Sequence, residues 1–99
     1  MHARVSTYDL ALDKLEEGIR GFRQAVERIR ELDGLHEVIF LVDRENGRAV
    51  TITLWDSSET MNSSRVAASR ARSEAARTAD GEVQSTCEYE VVLRERGGA

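Results

Sequence analysis

From Ala3 to Leu10 the chain alternates, with Ala3, Val5 and Thr7 facing one way and Arg4, Ser6 and Tyr8 the other. A period of two predicts a strand. The period then changes. Leu15, Ile19, Phe22, Val26 and Ile29 recur at steps of four and three, which makes one face of an amphipathic helix. Asp13, with Glu16 three residues on, supplies a capping-box start, and Asp33-Gly34 a stop. Gly18, Gly21 and Ala25 lie near one another on that helix and predict a close approach to another backbone. Val38 to Val42, "VIFLV", is apolar at every position and predicts a strand covered on both faces. Asn46-Gly47 predicts a type I′ hairpin turn. The third strand, Ala49 to Trp55, places Val50, Ile52 and Leu54 on one face and Thr51, Thr53 and Trp55 on the other. Asp56, with Glu59 after it, predicts the cap of a second helix, whose buried stripe is Met61, Ala68, Ala71 and Ala75. Asp80-Gly81 ends it. Val83 to Leu93 forms the last strand, with Val83, Cys87, Tyr89, Val91 and Leu93 on one face.

The order β-α-β-β-α-β is the split βαβ, ferredoxin-like α+β arrangement: a four-stranded antiparallel sheet with both helices on one face. Two helices leave the second sheet face open, yet "VIFLV" is apolar on both sides. That conflict predicts a homodimer formed through the sheet faces.

Composition narrows the classes. Residues 1–99 make one domain, with about 94–99 a mobile tail, and a core this small gains from a partner subunit. The net charge is −4, from 14 basic and 18 acidic residues, which argues against a nucleic-acid partner. No apolar run is long enough to span a membrane and no signal peptide is present. The single Cys87 excludes an internal disulfide and fits the cytoplasm. His2 and His36 are far apart and accompany no cysteine or carboxylate motif, so the sequence offers no metal site. No phosphate loop or nucleophile elbow is present.

The segments "ARVSTYDL", "LVDRENGRAVTITLWDSSE" and "EYEVV", above all "AVTITLW" before an acidic helix start, resemble the antibiotic biosynthesis monooxygenase (ABM)-like domains of the dimeric α+β barrel superfamily. The resemblance covers nearly the whole chain. It implies a dimeric α+β barrel with a ligand pocket between each protomer's sheet and helices. It also implies cofactor-independent oxygenation of a small aromatic or quinol-type molecule, or haem degradation. The haem-degrading branch is matched poorly. Its helix tryptophan falls at Ser64, its haem-binding histidine near Glu74 and its first-strand asparagine near Thr7. The aromatic-oxidising branch favours a helix asparagine, near Asn62, and a tryptophan that nothing here matches. The expected cofactor is therefore none.

The candidate site residues are Trp55 and Asn62 for catalysis, and Trp55, Asn62, Tyr8, Tyr89 and Arg72 for ligand binding. Each has a plainer role. Trp55 fills the sheet–helix corner beside an alanine-rich helix, or walls a pocket. Asn62 is a solvated helix residue, or donates to an oxyanion. Tyr8 and Tyr89 pack within strands, or flank the pocket. Arg65, Arg70, Arg72, Arg77 and Glu74 form a solvated helix face, unless Arg72 turns inward to neutralise a carboxylate. His36 is a surface residue and Cys87 a small buried one. The function is that of a cofactor-free monooxygenase or related enzyme, or a non-catalytic small-molecule-binding or structural dimerisation module.

Overall fold

In the computed structural model, which describes residues 1–98, the elements are β1 (His2–Asp9), α1 (Leu15–Ile29), β2 (Leu35–Asp43), β3 (Arg48–Trp55), α2 (Ser58–Ser63), α3 (Arg65–Arg77) and β4 (Glu82–Glu90). The strands form one antiparallel sheet in the order β2-β3-β1-β4, the ferredoxin-like arrangement read from the pattern. The core lies between this sheet and α1 and α3, around Tyr8, Leu15, Phe22, Ile29 and the alanines Ala71, Ala75, Ala76 and Ala79. Phe22 stacks on Phe40 of β2 and meets the edge of Tyr8.

The two glycines of α1 face α3. A Cβ on Gly21 would come within 2.3 Å of the Thr78 hydroxyl oxygen, and one on Gly18 within 2.8 Å of Ala79. Without a Cβ, these two positions let α1 close onto Thr78 and Ala79, just past the end of α3.

Several local expectations give way to other geometry. Asp13 caps nothing: it lies in a 3₁₀ turn, Leu12–Lys14, ahead of α1, and Glu16 pairs with Arg44 instead. The second helix starts from Ser57, whose hydroxyl accepts the Thr60 N–H while the Thr60 hydroxyl faces the Ser57 N–H. Asp56, one residue earlier, bonds His36. That helix is also broken at Ser64 into α2 and α3. The hairpin is not a two-residue turn. Arg44, Glu45, Asn46 and Gly47 all lie between paired Asp43 and Arg48. The Asp43 carboxylate accepts from the Glu45 and Asn46 amides, and only Gly47 has positive φ, +71°.

The last strand is a further correction. Opposite β1, Thr7 pairs with Ser85 but Tyr8 pairs with Val83, so Gln84 is bulged out. Val83 therefore lies on the helix side with Tyr8, while Cys87 and Tyr89 lie on the open side with Val5 and Ala3. They do not share one face. β4 ends at Glu90, and residues 91–98 follow without regular structure, Arg94 pairing with Glu37 of β2. Of the tail expected to be mobile, Ala99 lies outside the described residues.

The face away from the helices carries Val5, Ile39, Leu41, Val50 and Ile52. Leu41 and Tyr89 there are 49% and 54% exposed. No helix is long and apolar enough to cross a membrane among the described residues.

Candidate functional site

The helix-facing side of β1 and β3 is polar where a core is expected to be apolar. Arg4, Ser6 and Tyr8 of β1 stand beside Thr53, Thr51 and Ala49 of β3, and all of β1's inward trio is buried. This polar strip floors a cavity of about 30 Å³, room for one or two waters. Its polar lining is Arg4, Ser6, Tyr8, Thr51, Thr53 and Arg72. Above them lie Phe22, Val26 and Ile29 of α1, Ala68 and Ala71 of α3, and Val38 of β2.

Arg4, 2% exposed, organises one end. Its guanidinium donates to Glu88 from Nε at 3.2 Å and Nη2 at 3.1 Å, to the Met61 carbonyl at 2.7 Å and to the Ser64 hydroxyl at 3.3 Å. Ser64 in turn donates to the Met61 carbonyl. Arg65 shares Glu88 from the solvent side at 2.8 Å. Burial pushes the Glu88 carboxyl up, but Arg4 and Arg65 outweigh it and hold it below the usual range. A buried cation is thus held on a carboxylate and on the end of α2, the kind of satisfied arrangement that low dielectric demands.

Trp55 lies behind this group. It is wholly buried, its Nε1–H donates to Thr53 Oγ1 at 2.9 Å, and the Arg4 Cζ sits 5.7 Å from its ring centroid. It does not line the cavity. The indole fills the β3–α2 corner and backs Arg4, a cation–π contact.

The other end belongs to Tyr8 and Arg72. The Tyr8 hydroxyl bonds Thr51 Oγ1 at 2.7 Å. Burial pushes its phenol up, with Thr51, Ser6 and the Arg72 charge partly offsetting it. Arg72 turns inward and is half-buried while Arg65, Arg70 and Arg77 stay exposed. Burial lowers its basicity, which Tyr8 partly restores. Among the described residues no carboxylate pairs with it: Glu74 is held by Arg28 and Glu88 by Arg4 and Arg65.

Of the sequence candidates, Tyr8 and Arg72 meet at the cavity. Asn62 does not: it is exposed and accepts from Arg65 at 3.0 Å. Tyr89 does not either, because the bulge puts it on the open face. Cys87 shares that face and is exposed, not buried. His36 is exposed, within β2. Arg4, Ser6 and Thr51 were not singled out from sequence. The one available signal was Arg4's place on the same strand face as Tyr8. Chemically, the lining offers two guanidinium groups and several hydroxyls, and no group that acts as a base at neutral pH. Such a set receives an anion.

Comparison with known proteins bears on the fold. No protein-family profile matches the chain. A solved structure from Deinococcus radiodurans, described as a candidate antibiotic biosynthesis monooxygenase, superposes over 100% of both chains with TM-score 0.78 at 14% identity. The chain has an ABM-like fold. Two other structures share the ABM-like fold and differ in chemistry. SnoaB, a cofactor-independent oxygenase from Streptomyces nogalater, matches with TM-score 0.74 and 12% identity over 94% of each chain. MhuD, a haem-degrader of Mycobacterium tuberculosis with two haems in its active site, matches with TM-score 0.72 and 18% identity over 97% of this chain and 100% of its own. In sequence, 91 residues are 32% identical to the uncharacterised protein Rv2557 of Mycobacterium tuberculosis. That alignment takes in 91% of this chain and 41% of the relative's length.

Proposed function

We propose that this ABM-like chain binds a small aromatic molecule of the phenol or quinol class between its sheet and helices, and oxidises it with dioxygen without a bound cofactor. The observation that supports this reading is the polar strip on the core face of β1 and β3, roofed by Phe22, Val26 and Ile29. A core has no need of such a strip, whereas a ring with an oxygen substituent is matched by an apolar roof and a donor floor. Oxidation of a phenol to a quinone needs no external reductant. The substrate loses two hydrogens, one oxygen atom becomes the new carbonyl, and the other leaves as water. The protein's part is to favour the ionised phenol, with guanidinium and hydroxyl donors around its oxygen. The cavity as it stands admits only small groups, so a ring enters by pushing back α3, which meets the sheet there through Ala68 and Ala71.

Haem suits the cavity poorly. Glu74 is bonded to Arg28, Ser64 to Arg4 and Met61, and Thr7 faces Ser85 on the sheet's other side. We further propose that residues 1–99 act as one unit, located in the cytoplasm, and that two copies pair through the open sheet face. The exposed Leu41 and Tyr89 support the pairing. A second reading, a non-catalytic binding or dimerisation module, is favoured by the small cavity and its lack of a base.

Oxygen uptake measured with phenol- and quinol-type compounds, beside calorimetric titration of the same compounds, separates these readings. Catalysed uptake supports the oxygenase. Binding without uptake leaves a ligand-binding protein, and neither leaves a dimerisation module.

A further inference from the structure

Resting on the reading of the sheet–helix cavity as a ligand site, we infer that its ligand carries a carboxylate and that Arg72 is the residue selecting it. Arg72 is the half-buried arginine of the described chain that has no acidic partner. Arg4, more deeply buried, is held on Glu88, and arginines without an acid elsewhere, such as Arg70 and Arg77, are exposed. A partly desolvated guanidinium without an anion is an unbalanced charge, and its planar fork fits a carboxylate with two parallel N–H donations.

Charge and size narrow the ligand. Glu88 already balances Arg4, so the cavity presents one uncompensated positive charge and matches a monoanion better than a phosphate dianion. Its volume of about 30 Å³ suits a headgroup the size of one or two waters. The Tyr8 hydroxyl, bonded to Thr51, lines the same cavity and adds a neutral polar group to it. A carboxylic acid is ionised at neutral pH, with a usual value near 4, whereas a phenol, near 10, is not. Arg72 therefore favours an aromatic acid over an unsubstituted phenol.

The experiment is calorimetric titration of 4-hydroxybenzoate, 4-hydroxybenzamide and acetate into the unaltered protein, Arg72→Gln and Arg72→Lys. The amide matches the acid in shape and lacks its charge. The expected result is acid binding at least tenfold tighter than amide binding in the unaltered protein. That ratio falls below twofold in Arg72→Gln and is partly kept in Arg72→Lys. Equal binding of acid and amide to the unaltered protein overturns the inference and leaves the aromatic site standing. Acetate binding that depends on Arg72, with neither aromatic bound, supports the carboxylate and overturns the aromatic reading. No binding of any probe overturns both. The comparison on the unaltered protein holds whether or not the variants fold.

Discussion

Replacing Arg4 by Met keeps much of its length and removes its charge from the buried end of the sheet. Breaking a buried ion pair by deleting one partner costs about 3–5 kcal/mol, because the other charge is left without compensation. Here the stranded partner is only partly isolated. Glu88 is 28% exposed and keeps Arg65 at 2.8 Å, and the Met61 carbonyl keeps the Ser64 hydroxyl. Those residual contacts place the expected loss near the lower end, about 2–4 kcal/mol. With a urea slope of roughly 1–3 kcal/mol per molar, the unfolding midpoint falls by about 1.5 M at mid-range values. The assay is urea unfolding followed by far-ultraviolet circular dichroism. Arg4→Met combined with Glu88→Gln is expected to lose less than the two single changes added together, because they share one interaction. If Arg4→Met stays within about 0.5 kcal/mol of the parent, as surface substitutions do, the buried pair does not hold α2 to the sheet and the reasoning fails.

Three further outcomes follow from the geometry. Trp55→Ala is expected to lose roughly 3–5 kcal/mol by the same unfolding assay; a loss under about 1 kcal/mol accompanied by loss of ligand binding shows a pocket wall instead. Gly21→Ala gains about 1 kcal/mol if helix propensity governs, but is expected to lose about 1–3 kcal/mol, since its Cβ would lie 2.3 Å from the Thr78 hydroxyl; the sign of the midpoint shift decides. Glu88 titrates below its usual value of 4.5 in the folded chain, so its contribution is complete above that value and fades as pH falls through the lowered one. The stability difference between parent and Glu88→Gln is therefore expected to shrink from pH 7 to pH 3, and a constant difference contradicts the ion-pair assignment.

The periodic parts of the chain were legible because each period answers to one physical demand. Leu15, Phe22 and Ile29 face the core, and Thr51, Thr53 and Trp55 share a face as their spacing requires. The caps were not, because several polar residues compete at each start. Asp56 and Ser57 are adjacent, and only the backbone decides which reaches Thr60. The site was legible in half. Tyr8 and Arg72 belonged to the expected set, but alternation states that Arg4, Ser6 and Tyr8 share a face without stating which face is buried. Polarity argues outward, and the Arg4 bond to Glu88, distant in sequence, reverses it. Asn62 was read as a solvated helix residue unless it turned inward to a ligand, and it lies outside, on Arg65.

The bulged Gln84 sets the parity of everything after it. With Gln84 present, even-numbered Thr86 and Glu88 point toward the helices and odd-numbered Cys87 and Tyr89 away. Drawing Gln84 into the ladder opposite Thr7 would exchange the two sets, since a slip of one in a strand turns every side chain over. Arg4 would then face a cysteine, and a carboxylate would enter the apolar open face. The strand thus carries one residue more than its ladder uses: losing Gln84 would keep both surfaces, whereas pairing it would invert them.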